Sequence, residues 1–279
     1  MNGYPLKILL FFILLFGQKC PGFTQKFSLG VKGGPLMVTT YFAEKEIRKT
    51  YSNRLKLGYY GAGLIIFPLN NNWEFETELG FSQKGRRVLF NDDTWENNGT
   101  YYFVDASMML RKMYAFNLGP NTPSNWFFNV GPHISYWLSG RGKVKAGGNY
   151  KYTVVYDSMP RETLVPDFDK MYMANVNRWF FGIDFGIGFI APLSANRKIL
   201  TELRFTSGHT YFGKTDNSSG LTSTATNRTL GFEDNLKANE KVLSLTVAYI
   251  LNYNMQESRK GKSNKDKEVH RKPVKRRRR

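Results

Sequence analysis

Trp73-Glu-Phe-Glu-Thr-Glu-Leu-Gly-Phe81 sets apolar side chains at alternate positions with carboxylates between them. Successive side chains of a strand point to opposite faces, so Trp73, Phe75, Leu79 and Phe81 share one surface and Glu74, Glu76 and Glu78 the other. In a soluble sheet the apolar surface would cover a protein core. Here a wide, aromatic-ended apolar band lies opposite a row of charges, and lipid outside with a polar interior accounts for both.

The same rhythm recurs along the chain. It predicts strands over about Phe27 to Thr40, Leu55 to Pro68, Trp73 to Leu89, Tyr101 to Tyr114, Trp126 to Gly140, Trp179 to Ala191, Ile199 to Tyr211 and Lys241 to Tyr253. Each is long enough to cross a bilayer at a tilt. The connections alternate. Residues 41–54, 90–100, 141–178 and 212–240 are long, whereas 69–72, 115–125 and 192–198 are shorter turns with Asn, Pro, Gly or Ser. The expectation is an all-β, eight-stranded, antiparallel up-and-down transmembrane barrel spanning residues 26–253. Its long loops lie outside, and an even strand number places both termini in the periplasm.

The flanking segments read differently. Lys7, the apolar run Ile8 to Phe16 and the small or polar residues up to Gln25 have the layout of a cleaved secretory signal over residues 1–25. The run is too short to span a membrane. Cleavage there removes Cys20, the only cysteine, and Lys19 before it fits a lipoprotein signal poorly. Of 40 basic residues, twelve lie in residues 254–279 against three acidic ones, and two lysines leave with the signal. The formal +18 therefore resolves into +9 on the tail and +7, from 26 basic and 19 acidic residues, on the part that folds. The tail is almost free of large apolar side chains and reads as a disordered polycation.

Parity assigns the faces. Phe181, Ile183, Phe185, Ile187 and Phe189 meet lipid, as do Leu243, Leu245, Val247, Tyr249, Leu251 and Tyr253. Gly182, Asp184, Gly186 and Gly188 point inward. The charged inward set is Lys32, Glu74, Glu76, Glu78, Lys84, Asp105, Arg111, Asp184, Glu202 and Arg204. Eight strands enclose a space that side chains can fill, and this set contains both signs, so the lumen is expected to be plugged by its own ion pairs.

Several segments resemble the PorT-like outer-membrane β-barrel family of bacteria that often carry type IX secretion. The carrying residues are Phe27-Ser-Leu-Gly-Val-Lys-Gly-Gly34, Glu78-Leu-Gly-Phe-Ser-Gln-Lys-Gly85, Asn129-Val-Gly-Pro-His-Ile-Ser-Tyr136, Gly182-Ile-Asp-Phe-Gly-Ile-Gly188, Glu202-Leu-Arg-Phe205 and Leu243-Ser-Leu-Thr-Val-Ala-Tyr249. The resemblance implies an integral outer-membrane protein without assigned activity, placed beside an envelope or secretion complex. The charged extension after Tyr253 departs from a plain barrel.

Candidate sites are weighed against plainer readings. His133 and Ser135 are similar to the His-x-Ser of lipid A deacylase barrels, in which a histidine activates a serine. Their parity points them into the lumen, away from such a lipid, and spacing supplies no orienting acid. A histidine within a polar network is the expectation. The Glu74, Glu76, Glu78 ladder would suit a metal, but Arg204, Lys84, Arg111 and Lys32 can partner it, and neither metal nor cofactor is expected.

The tail has the composition of a nucleic-acid arm. Export excludes that partner and leaves anionic periplasmic surfaces: inner-leaflet phospholipid, peptidoglycan or an acidic protein patch. The residues expected to bind such an anion are Lys272, Lys275, Arg276, Arg277, Arg278 and Arg279. Outer-membrane lipid is the remaining partner. Asp157-Ser-Met159 matches a short O-glycosylation acceptor, and Asn98, Asn217 and Asn227 begin uninformative sequons. Trp95, Tyr150, Tyr152 and Tyr156 either touch a partner or line the barrel rim. No enzymatic activity is expected. A narrow pore or ligand-binding barrel is the first alternative and a lipid A-modifying enzyme the second.

Overall fold

A computed structural model describes residues 26–70, 72–90, 95–117, 123–146, 148–157, 169–173, 176–213, 221–226, 229–234 and 238–254. The expected signal segment 1–25 with Cys20, and Ser158, Met159, Asn217 and Asn227, lie outside the described residues. So do all six tail cations expected to bind an anion: Lys272, Lys275, Arg276, Arg277, Arg278 and Arg279.

Eight strands form a closed antiparallel ring. They are β1 (Lys26–Phe42), β3 (Lys56–Pro68), β4 (Trp73–Phe90), β5 (Trp95–Asn117), β6 (Pro123–Ala146), β9 (Trp179–Ser194), β10 (Arg197–Gly208) and β13 (Ala238–Asn254). Each pairs with the next in that order, and β13 closes on β1, with Lys26 opposite Asn254 and Phe42 opposite Ala238. Closure leaves no unpaired edge inside a bilayer, where backbone groups have no water to bond. No helix among the described residues is long and apolar enough to cross a membrane; strands do the crossing.

Each sequence-expected strand is present, with two departures. β5 and β6 run 23 and 24 residues, well beyond the dozen or so that alternation marked. The turn expected over 115–125 is therefore largely strand, from Ala115 paired with Asn125 to Asn117 paired with Pro123. The expected loops also carry structure. Residues 41–54 hold helix α1 (Lys45–Thr50) and strand β2 (Tyr51–Arg54), which pairs with β4. The stretch after β6 supplies β7 (Asn149–Val155) and β8 (Lys170–Tyr172), and β11 (Leu221–Thr226) with β12 (Thr229–Asp234) forms a hairpin joined to β8. These strands continue the wall past the ring. Ladder bonds compensate their backbones even where no apolar alternation announces them.

The turn end is tighter. Ala195 and Asn196 alone connect β9 to β10. Between β3 and β4 the Asn70 carboxamide accepts the backbone N–H of Asn72 at 3.1 Å and of Trp73 at 3.0 Å, closing the turn with a side chain.

The exterior is the apolar band that parity assigns. Phe181, Ile183, Phe185, Ile187 and Phe189 are between 38 and 52% exposed, as are Leu245, Val247 and Tyr249 on β13. Aromatic pairs mark both rims. Tyr114 stacks on Trp126 and Phe27 meets Tyr253 near the turn end; Phe81 stacks on Tyr102 and Tyr136 meets Trp179 toward the loop end. Such belts sit at the two membrane interfaces.

Candidate functional site: the filled lumen

The interior is layered. At the turn end Leu64, Ile66, Phe127, Ile190, Leu200, Ala248 and Ile250 close the bore with an apolar plug. At the loop end Tyr101, Phe103, Trp137, Tyr152, Met171 and Phe212 build an aromatic cap, against which Trp95, Tyr150 and Tyr156 pack. Those loop aromatics therefore serve the interior; Tyr152 is 3% exposed and donates to Asn97 Oδ1 at 2.7 Å.

Beside the plug and from it toward the cap lie the ten inward charges, every one buried. Arg204 is the hub. Its two terminal nitrogens hold Glu78 in a fork at 2.7 and 2.8 Å, its Nε meets Glu202 at 2.5 Å, and Nη1 reaches Asp184 at 3.4 Å. A planar guanidinium suits such simultaneous pairing. Lys32 Nζ binds Glu202 at 2.6 Å and also donates to Glu78 and Glu76. Arg111 holds Glu74 at 3.0 Å and Glu76 by a shorter bond, and lies 4.4 Å over the Phe127 ring at the head of the plug.

The glutamate ladder is thus paired, with one correction: Lys84 partners Asp105 at 3.0 Å, not the ladder. Glu76, Glu78 and Glu202 bring ligand atoms within 4.8 Å of one another. Lys32 and Arg204 occupy the same space, so the cluster's charge is met by side chains. Gly186 makes this arrangement possible, because a Cβ there would overlap Asn129 Oδ1 and stand 2.7 Å from Glu202 Oε1. The small inward residues of β9 leave room for the charges of β10.

His133 and Ser135 point into the lumen, as parity requires, and are 9 and 2% exposed. The acid that spacing could not supply is provided by the pairing of β6 with β9: Asp184 Oδ2 lies 3.1 Å from His133 Nδ1, while Nε2 lies 2.8 Å from Ser135 Oγ. Those distances have the connectivity of a nucleophilic triad, but the roles do not follow. A nucleophilic serine must give its proton to the imidazole. Ser135 donates instead to Asp105, Lys84 Nζ stands 3.1 Å from the same oxygen, and His133 Nε2 itself faces Asp105 at 3.3 Å. Each ring nitrogen therefore has a carboxylate before it. The ten charges that parity identifies sum to −2, from four basic and six acidic residues, and His133 lies between two of the acids that make the deficit.

Sequence reading missed Tyr60, which donates to Glu78 at 2.8 Å; Thr206, which donates to Asp184 at 2.6 Å; and Glu240, expected in a loop. Glu240 lines a cavity of about 30 Å³ with Lys84, His133, Ser135 and Thr206, room for one or two waters. Parity could have shown that Tyr60 and Thr206 face inward, but not which acids they reach.

A sealed ring with a lipid-facing apolar band, rim aromatics and a charged interior defines an integral outer-membrane β-barrel. Residues 16–213 match the family model for the outer membrane protein beta-barrel domain, and the chain belongs to that family of bacterial outer-membrane proteins. Its fold is similar to Ail, the attachment invasion locus protein of Yersinia pestis, at 11% identity over 80% of this chain and 98% of that one, with a TM-score of 0.33. It is also similar to Neisserial surface protein A, at 11% identity over 82% and 98% with a TM-score of 0.37. OprG from Pseudomonas aeruginosa shares 8% identity over 81% and 95%, with a TM-score of 0.41. No curated relative matches the sequence.

Proposed function

We propose that this barrel is a sealed, non-enzymatic accessory of the bacterial outer membrane, with its loops outside and both termini in the periplasm. The resemblance of its strand segments to PorT-like barrels suggests a place beside an envelope or protein-secretion complex. In this reading the tail cations Lys272, Lys275, Arg276, Arg277, Arg278 and Arg279 tether it to an anionic periplasmic surface. The observation that carries the reading is the lumen itself, which among the described residues is filled by an apolar plug, buried ion pairs and an aromatic cap. Long outer strands and the two-residue turn between β9 and β10 support the orientation.

Planar-bilayer recording tests the sealed lumen. The full barrel gives no discrete conductance steps; steady unitary steps would overturn the reading in favour of a pore. The tether is tested by crosslinking and pull-down of the intact protein beside one truncated after Tyr253. Loss of periplasmic partners from the truncated form is expected, and identical partners in both would remove the tail from the proposal.

A further inference from the structure

The outer surface of the sheet changes chemistry just beyond its loop-end aromatic belt. On the lipid side of that belt the outward positions are Val104, Leu79 and Met108. Beyond it, and past a register shift opposite Tyr102 that moves the outward positions of β6 by one, the outer face carries Arg87 on β4, Arg141, Lys143 and Lys145 on β6, and Lys151 on β7. The Arg141 guanidinium stands over the outward ring of Tyr102, 5.8 Å from its centroid, which fixes the cations directly above the belt.

Strand pairing places them side by side. Lys143 lies opposite Asn98 on one flank and Lys151 on the other, and Arg141 opposite Thr100 and Thr153. Glu96 accounts for two of the cations, binding Arg87 Nε at 2.6 Å and Lys145 Nζ at 3.4 Å. Arg141, Lys143 and Lys151 are exposed and, together with Lys56, line a cleft of about 580 Å³ whose one acidic wall residue is Asp169. The Lys56 amine donates to Asn98 Oδ1. Four cations face one carboxylate among the described residues, and an anion in the cleft would relieve that excess.

Position decides which anion. The cleft opens on the lipid-facing side of the strands at the height where hydrocarbon gives way to headgroups, rather than at the loop tips where a soluble ligand would arrive. We infer that it seats the phosphate-bearing headgroup of an outer-leaflet glycolipid, with Arg141 forking a phosphate and Lys143 and Lys151 adding point charges. The inference rests on the proposed orientation, which puts this end in the outer leaflet.

The test uses the mature chain in nanodiscs carrying either diphosphoryl lipid A or its dephosphorylated form, with bound lipid counted by native mass spectrometry. Removing three cations that each contribute about fivefold at an anionic surface should weaken retention of the diphosphoryl lipid on the order of 100-fold in an Arg141→Gln/Lys143→Gln/Lys151→Gln variant. The dephosphorylated lipid should be retained weakly by both proteins. A charge-matched control on helix α1, Lys45→Gln/Arg48→Gln/Lys49→Gln, should behave as the parent. Equal retention of both lipids by the parent, or equal losses in the two variants, would overturn the site, and the heat-dependent gel shift shows that each variant is folded. Orientation is read separately, by labelling an Asn149→Cys variant in intact cells with an impermeant maleimide. Labelling only after permeabilisation defeats the orientation and the leaflet assignment together. Surface labelling with unchanged lipid retention defeats the headgroup site alone.

Discussion

The middle of the lumen and its loop-end cap fill the same cylinder with opposite chemistry. In the middle, Arg204, Lys32 and Arg111 hold five glutamate and aspartate partners drawn from β4, β9 and β10. In the cap, Tyr101, Phe103, Trp137 and Phe212 meet edge to face, tilted or stacked at centroid distances of 4.7 to 6.1 Å. Ion pairs are directional, and each charge is tolerable only while its partner stays in place. Aromatic packing is roughly proportional to the area removed from water and accepts rearrangement. The middle should therefore behave as an all-or-none lock on the ring, and the cap as a local lid.

The largest effect expected from that contrast is at Arg204. Arg204→Met leaves Glu78, Glu202 and Asp184 short of their shared cation in a desolvated space and should cost about 3 to 5 kcal/mol. Urea titration in micelles, followed by the heat-dependent gel shift, measures it as loss of the whole barrel. A variant as stable as the parent would mean that the ion pairs are not the lock. Trp137→Ala, a large-to-small change at a side chain with no exposure, should cost about 3 kcal/mol. Its signature differs: protease cleavage of the loop-end extension while the barrel keeps its gel shift. Global unfolding would erase the distinction between lock and lid.

The smallest effect is expected where neither chemistry is buried deeply. Glu96, on the extension beyond the belt, is held below the usual carboxylate range first by the hydrogen bond from Arg87 and then by the charges of Arg87 and Lys145. A carboxylate lowered in the folded state contributes stability above its unfolded value and loses it as pH falls through the folded one. Glu96→Gln should cost under about 1 kcal/mol at neutral pH and nothing below the folded value. Denaturation at several pH values checks the sign, and a deficit that grows on acidification would contradict the pairing.

How far this contrast was legible depends on the residue. Trp73 to Phe81, Phe181 to Phe189 and Leu243 to Tyr253 alternate so plainly that inside and outside followed from parity, and the ten lumen charges with them. His133 was readable as an inward residue, but its partners were not, because Asp184 and Asp105 become neighbours through strand register. That Trp95, Tyr150, Tyr152 and Tyr156 pack on an interior cap, where their sequence suggests only a rim or a partner surface, follows from the same register. Tyr152 comes from a run that alternates for only six residues, too few to mark a membrane strand, and Phe212 from a segment without alternation; their burial depends on β5 and β6 running on past the membrane.

Local alternation alone determined that this chain crosses a bilayer as strands, because a period of two exposes one face to hydrocarbon whatever lies beyond. Where the serine proton goes was set by the register of β5 on β6, and which lysine meets which glutamate was decided only when β13 paired with β1. Closing the ring sets residues from opposite ends of the chain within hydrogen-bond distance, and no pattern within a single strand encodes that approach.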